Sequence, residues 1–107
     1  MGTIDIRLLR SLFDRGRFAV SSHGVPHRRK EGFSIADIRS AVREGLIIED
    51  YPERNRCLVW GRVPTLEGTA LDLHVVCEVL EREWAYVVTA YVPDPAEWES
   101  PPLRRRR

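Results

Sequence analysis

The sequence has no apolar run long enough to cross a membrane. No stretch of its 107 residues approaches the ~20 consecutive apolar residues that a membrane helix needs. Residues 1–10 carry Asp5, Arg7 and Arg10 among their apolar residues, so they are not expected to form the core of a signal peptide. We therefore expect a cytoplasmic protein with no membrane partner.

Cysteine is scarce, and several catalytic motifs are absent. The only two cysteines, Cys57 and Cys77, are typical of buried reduced thiols in a chain without a secretion signal. His23 and His27 have a metal-ligand spacing, but that signal is weak without further ligands, so we expect no metal and no cofactor. The sequence also has no Gly-rich phosphate loop, serine-nucleophile elbow or paired-carboxylate motif.

The composition is that of one small globular domain. An apolar share of 43% and a charged share of 31% indicate neither disorder nor a membrane protein. The net charge of +1 is unevenly distributed. Residues 1–45 hold nine Arg/Lys against five Asp/Glu, residues 46–103 hold four against eleven, and residues 104–107 are four arginines. The basic first half is either a phosphate-contacting surface or a solvated helix face.

Hydrophobic periodicity predicts helices in the first half and strands in the second. Thr3 and Ser34 are candidate caps for the first and last helices, and Gly45 ends the last one. Helices are predicted at 3–13, 23–30 and 35–44, and strands at 46–52, 57–63, 70–80 and 84–92, with 17–22 as a short edge strand. The fold class is therefore α+β, with N-terminal helices packed on a three- to four-stranded antiparallel sheet. Residues 1–99 form a single domain in which 1–15 are an extra helix, and 100–107 form a basic flexible tail.

The last predicted hairpin collects polar side chains on one face. A two- or four-residue loop around Glu81–Arg82 places an apolar set on the other face, including Trp84 and Tyr86. The predicted apolar pairs are Leu71–Val92, Leu73–Ala90, Val75–Val88, Cys77–Tyr86 and Val79–Trp84. On the polar face the same register sets His74 opposite Thr89 and Asp72 opposite Tyr91. This cluster is either a proton-transfer site centred on a histidine or the solvated face of a half-buried sheet.

Several segments resemble one bacterial family. They are Ser22-His23, RRKEGFS (28–34), GLIIEDYP (45–52), LDLHVV (71–76), VTAYVPDP (88–95) and Trp98. Over about residues 16–99 the chain resembles the bacterial domain-of-unknown-function 4258 family. At the level of fold it is distantly similar to small toxin ribonucleases of the RelE and BrnT kind. Gly24 and Pro26 depart from the family pattern, because they interrupt a segment that normally runs as a helix.

The resemblance implies His23, Arg28, His74, Thr89 and Tyr91 as site residues, and Arg29 and Lys30 extend the basic stretch beside Arg28. The candidate catalytic residues are His74, Tyr91, Thr89 and His23, and the candidate phosphate-binding residues are Arg28, Arg29 and Lys30. In an endoribonuclease, His74 acts as general base or acid without a metal, and the cations stabilise charge on phosphorus.

The alternative is a non-catalytic protein- or nucleic-acid-binding module of a toxin–antitoxin-like system. The expected partner is RNA or a cognate protein, and the oligomeric state is left open. The basic helices favour the enzyme only if they cover the same face as His74.

Overall fold

A computed structural model of the chain describes residues 4–21, 33–65 and 67–107. The elements in chain order are α1 (Ile6–Asp14), β1 (Phe18–Val20), α2 (Ile35–Glu44), β2 (Leu46–Tyr51), a 3₁₀ turn (Pro52–Arg54), β3 (Arg56–Pro64), β4 (Ala70–Leu80) and β5 (Trp84–Tyr91). The helix predicted at 23–30 lies outside the described residues.

The two described helices begin at polar caps. The helix α1 is capped by Asp5, whose carboxylate accepts a hydrogen bond from the Arg7 backbone N–H at 2.8 Å. The Thr3 cap predicted from the sequence lies outside the described residues. The predicted start of α2 is confirmed, because Ser34 and Asp37 exchange side-chain to backbone hydrogen bonds in a capping box.

The strands form one mixed sheet in the order β1-β5-β4-β3-β2. Neighbouring strands from β2 to β5 are antiparallel, whereas β1 runs parallel to β5 through the pairing of 18–20 with 85–87. The α+β class and four antiparallel strands are confirmed, but the predicted sheet is incomplete, because the observed sheet has a fifth strand that runs parallel to its neighbour. The short segment β1 adds a fifth strand, because its backbone pairs along the open edge of β5.

Both helices contact the same face of this sheet, which we call the inner face. The hydrophobic core fills the space between them and includes Leu12, Ile38, Val59, Val75 and Val87. Gly61 allows close approach at this layer, since a Cβ there would lie 2.5 Å from the Ala41 Cα of α2.

The two cysteines lie in this core, directly opposite each other on β3 and β4. Both are buried free thiols, as expected from the sequence. Burial raises the pKa of the Cys57 thiol to about 12 and raises that of Cys77 well above its ordinary value.

The register of the β4–β5 hairpin differs from the predicted one. The loop has three residues, two of which adopt positive φ (Glu81 at 53° and Arg82 at 61°), so that Leu80 pairs with Trp84. A three-residue loop shifts the pairing by one position from the predicted register. Consequently Trp84 and Tyr86, predicted on the core face, are exposed. Their neighbours Ala85 and Val87 are buried in the core instead.

A second irregularity follows further along the hairpin. A β-bulge shifts the register between Val76 and Cys77, and it changes the side to which β5 residues point. Beyond it Val75 pairs with Ala90 and His74 with Tyr91. The predicted inner face of β4 is correct, since its alternate residues Leu73, Val75, Cys77 and Val79 are all buried in the core.

Candidate functional site

The predicted polar cluster lies on the outer face of the sheet, away from the helices. His74 and Tyr91 are directly opposite each other, and the His74 Nδ1 lies 3.3 Å from the Tyr91 hydroxyl. The predicted pairs of His74 with Thr89 and of Asp72 with Tyr91 are wrong, because Thr89 pairs with Val76. The structure therefore brings together His74 and Tyr91, with Thr89 two pairs further along the hairpin.

This cluster is covered by residues 93–107, which we call the C-terminal strap. The Pro102 carbonyl lies 2.8 Å from the His74 Nε2. The Trp98 ring contacts the imidazole edge-on, with 4.4 Å between ring centroids. His74 is 0% exposed and Trp98 only 2%. The segment predicted as a flexible tail thus contributes residues that close the cluster.

Backbone and side-chain contacts hold the strap in place. Trp98 and Arg105 form an antiparallel bridge, flanked by a hydrogen bond of 2.9 Å from the Glu99 N–H to the Arg104 carbonyl. The Arg105 guanidinium lies over the Trp98 ring and donates to both Glu49 carboxylate oxygens, at 2.9 and 3.1 Å. This bidentate ion pair fastens the end of the strap to β2, the far edge strand of the sheet.

The anchoring carboxylate has a second partner on its own strand. The Tyr51 hydroxyl donates a hydrogen bond to Glu49. Hydrogen bonds from Arg105 lower the pKa of Glu49, which therefore stays ionised. Burial raises the pKa of Tyr51 to about 12, so this hydroxyl keeps its proton at neutral pH.

The hydrogen bonds of His74 define its protonation state. Because a carbonyl oxygen only accepts, the His74 Nε2 carries the proton that is donated to Pro102. Burial is the largest influence on the His74 pKa and lowers it, so the ring is neutral and its Nδ1 accepts from Tyr91. The charges of Glu49 and Asp72 raise the pKa of His74, whereas the charge of Arg105 lowers it, as burial does. Both ring nitrogens are therefore engaged, and neither is available to a substrate while the strap is closed.

Asp72 belongs to a separate polar group on the outer face. Its Oδ1 accepts hydrogen bonds from the Trp60 indole at 3.0 Å and from the Arg62 guanidinium at 3.1 Å. The guanidinium also lies over the Trp60 ring, 5.6 Å from its centroid. The sequence-based prediction that Asp72 orients His74 is therefore replaced by a role in fixing two side chains of β3.

Four of the predicted site residues cannot be placed. His23, Arg28, Arg29 and Lys30 all lie outside the described residues. The helices α1 and α2 lie on the inner face, opposite to His74, so their basic side chains do not meet the histidine cluster. Among residues 4–21, 33–65 and 67–107 no three His, Cys, Asp or Glu side chains are grouped to hold a metal ion.

Sequence reasoning did not identify the residues that close the cluster. Glu49 and Tyr51 alternate along a predicted strand, which signals a shared face, but no local pattern links Glu49 to Arg105, 56 residues away. Trp98 is part of the family resemblance, but no local pattern places its ring against His74. The contact of the Pro102 carbonyl is made by the backbone and leaves no signal in the sequence.

The fold and the cluster together define a small α+β domain with a strapped outer sheet face. The chain matches the family model described as "Domain of unknown function (DUF4258)" over residues 20–92, and it belongs to that family. This match includes His74 and Tyr91, whereas α1 and the strap lie outside it. No curated protein and no solved structure matches the chain. None of the helices in the described part of the chain is long and apolar enough to cross a membrane.

Proposed function

We propose that this domain is a non-catalytic binding module whose partner is another protein. Two features of the candidate site support this over a ribonuclease. The imidazole of His74 is sealed and uses both of its nitrogens within the fold. The two described helices, α1 and α2, lie across the sheet from it, so their basic side chains do not reach it.

The observation that carries the proposal is an exposed apolar surface at the end of the β4–β5 hairpin. We call it the hairpin patch and define it as Leu80, Trp84 and Tyr86, which are 46%, 46% and 36% exposed. Leu80 pairs directly with Trp84, and Tyr86 lies two residues further along the same outer face. Contiguous exposed apolar side chains mark interaction sites, and Trp and Tyr are enriched among residues that dominate binding energy.

The charges around the hairpin patch favour a protein over a nucleic acid. The Arg17 guanidinium lies over the Trp84 ring, 5.6 Å from its centroid, and reaches the Glu83 carboxylate at 4.0 Å. On the other side Arg56 pairs with Glu78 at 2.9 Å. Each of these cations is matched by an anion, whereas a face that binds nucleic acid carries an excess of positive charge. A mixed-charge rim around an apolar centre is the usual composition of a protein interface.

The test compares two exposed apolar side chains at opposite edges of the sheet. A partner recovered by co-purification is reconstituted from pure components, and its dissociation constant is measured by calorimetry. Trp84→Ala is expected to weaken binding about 30-fold or more, which corresponds to ~2 kcal/mol for a central interface residue. Leu46→Ala is the matched control: Leu46 is 54% exposed on β2, and its truncation is expected to leave affinity within about twofold.

Two results would contradict the proposal. One is equal affinity of Trp84→Ala and wild type for the reconstituted partner, which would remove the hairpin patch from the interface. The other is catalytic turnover by the domain alone. Since Trp84 is exposed, its truncation is not expected to change folding, which circular dichroism checks for both variants.

A metal-independent endoribonuclease is the second candidate function, because one observation favours it. Glu49, Tyr51, His74 and Tyr91 lie near one another beneath the strap, and such a set provides proton-transfer groups. This activity requires the strap to move away from His74.

The second candidate is tested by incubating RNA with wild type and with Arg105→Ala, in the presence and absence of EDTA. A ribonuclease predicts cleavage that survives EDTA, increases in Arg105→Ala and disappears when His74→Ala is added. An absence of cleavage by every variant would exclude this candidate and leave the binding module.

A further inference from the structure

A further surface feature lies at the other end of the long hairpin, where the strap leaves the sheet. A cavity of about 330 Å³ opens there between the start of β4, the end of β5 and the strap. Its volume is within the range of small-ligand pockets. It is separated from the hairpin patch by the length of β4, roughly 30 Å for a strand of this length.

The walls of this cavity, which we call the strap cavity, are mostly apolar. Residues of the two strands and of the strap contribute to them: Ala70, Leu71, Val92, Pro93, Pro95, Trp98 and Pro102. Proline rings and an indole are rigid, so the cavity needs little ordering of its own side chains when a ligand enters. An aliphatic chain would lose its contact with water against these walls.

The polar groups at the strap cavity are acidic. Asp72 and Glu99 line it together with Ser100. Both donors to Asp72, from Trp60 and Arg62, meet Oδ1 rather than Oδ2. Within the described part of the chain, no ion pair engages the exposed Glu99 side chain. The cavity therefore presents carboxylate oxygens that have capacity for a further donor.

We propose that the strap cavity binds the side chain of an arginine or lysine presented by a peptide segment of a partner protein. Such a side chain has an aliphatic stem that matches the apolar walls and a terminal cation that matches Asp72 and Glu99. Asp72 is paired with Arg62 through Oδ1, so its Oδ2 and the Glu99 carboxylate are the groups that disfavour phosphate and carboxylate ligands. This site does not depend on the hairpin patch, which lies at the opposite end of β4.

The experiment is an NMR titration of the full chain with two tripeptides. The first is acetyl-Ala-Arg-Ala-amide, and the second carries citrulline, which has the shape of arginine without its charge. The arginine peptide is expected to shift the Trp98 indole signal in a saturable manner. The citrulline peptide is expected to bind about fivefold or more weakly, because it cannot pair with the carboxylates.

Variants of the wall and of the rim localise the binding. Glu99→Gln is expected to weaken the arginine peptide about threefold to fivefold. The matched control is Glu97→Gln. Glu97 is an exposed residue on the same segment, but it does not line the cavity, so this substitution is expected to have little effect on binding of the arginine peptide. Ala70→Leu, at an exposed position on the cavity wall, is expected to reduce binding of both peptides by filling the space.

The proposal would be overturned by equal shifts from the arginine and citrulline peptides, or by equal effects of Glu99→Gln and Glu97→Gln. It would also be overturned by unchanged binding to Ala70→Leu. Failure of this site leaves the hairpin-patch proposal intact, because Trp84→Ala tests that proposal with a different ligand and readout.

Discussion

Replacing His74 by phenylalanine tests whether this histidine is a neutral cross-link between the sheet and the strap. Phenylalanine keeps a planar ring against Trp98, so the packing volume is largely retained. The substitution removes the hydrogen bonds to the Pro102 carbonyl and to the Tyr91 hydroxyl. The perturbation is therefore mainly polar, and it acts at the point where the strap contacts β4.

The expected loss of stability follows from those two hydrogen bonds. Each contributes about 1 kcal/mol, and a buried acceptor left without a donor adds a penalty of about 1–3 kcal/mol. The Pro102 carbonyl loses its buried partner, whereas the half-buried Tyr91 hydroxyl can turn towards water. Water thus offsets the lost Tyr91 bond, and the Pro102 bond with its penalty remains, so we expect His74→Phe to lower the free energy of unfolding by about 2–4 kcal/mol at pH 7.5. A domain of this size is stable by about 5–15 kcal/mol, so the variant should still fold.

The pH dependence distinguishes a neutral histidine from a charged one. Burial lowers the pKa of His74 in the folded state below the value of 6.5 that it has in the unfolded chain. As pH falls below 6.5, the unfolded state binds a proton that the folded state excludes, and stability is lost until the folded pKa is reached. The slope from this one group is at most about 1.4 kcal/mol per pH unit. His74→Phe lacks this contribution, so the stability gap between the two proteins should narrow on acidification.

The assay is urea unfolding of both proteins at pH 7.5, 6.5 and 5.5. The other histidines are common to both proteins, so their titration cancels in the difference, and Glu49, whose pKa is lowered by Arg105, stays ionised over this pH range. A gap that stays constant or widens between pH 7.5 and 5.5 would refute the assignment of His74 as a neutral buried base. A gap near zero at pH 7.5 would refute the cross-link itself.

Three further predictions concern the strap, the helix layer and the thiols. Arg105→Ala should accelerate amide hydrogen exchange in residues 93–107 about fivefold, because a half-exposed bidentate ion pair contributes only ~1 kcal/mol. Arg104→Ala should not accelerate it, and equal exchange in the two variants would contradict the anchoring role of Arg105. Gly61→Ala should lower the free energy of unfolding, measured in urea, by about 1–3 kcal/mol, because the added Cβ would lie 2.5 Å from the Ala41 Cα. An unchanged midpoint of urea unfolding would contradict this close approach. In the folded protein, both cysteines should react with iodoacetamide at pH 8 much more slowly than a free thiol, because burial raises their pKa values. Urea unfolding should abolish this difference, and fast labelling of the folded protein would show that the thiols are accessible.

The parts of the fold that sequence reasoning predicted well have strong local signals. The helix α2 is bounded by a capping box at Ser34 and by Gly45, where a Cβ would lie 2.1 Å from the Trp60 carbonyl oxygen. The strand β4 was predicted with its observed bounds, because an alternating apolar pattern runs between turn residues on both sides. In both cases neighbouring residues along the chain carry the information.

The missed parts depend on contacts between distant segments. The parallel pairing of β1 with β5 joins residues 18–20 to 85–87, and no local pattern marks it. The closure of the candidate site depends on Glu49 and Arg105, and on a carbonyl at Pro102, which are brought together only by the path of the strap. His74 and Tyr91 were found because an alternating pattern places them on a shared face, but their burial was not predicted.

Two departures from regular hairpin geometry explain both the exposed patch and the composition of the cluster. The three-residue loop turns Trp84 outward and Ala85 inward. If that register continued without interruption, alternate residues from Ala85 would all face inward, and Tyr91 would point into the helix layer. The bulge reverses the alternation before this point, so Ala90 is buried in the core and Tyr91 meets His74 on the outer face. Over the second half of β5, the apolar pattern fits the predicted register and the observed register equally well. The pattern alone therefore did not reveal the register shifts at the loop and at the bulge. The hairpin patch therefore follows from the loop and the His74–Tyr91 contact from the bulge. A change that removed the bulge would be expected to alter the closed cluster while leaving the patch exposed.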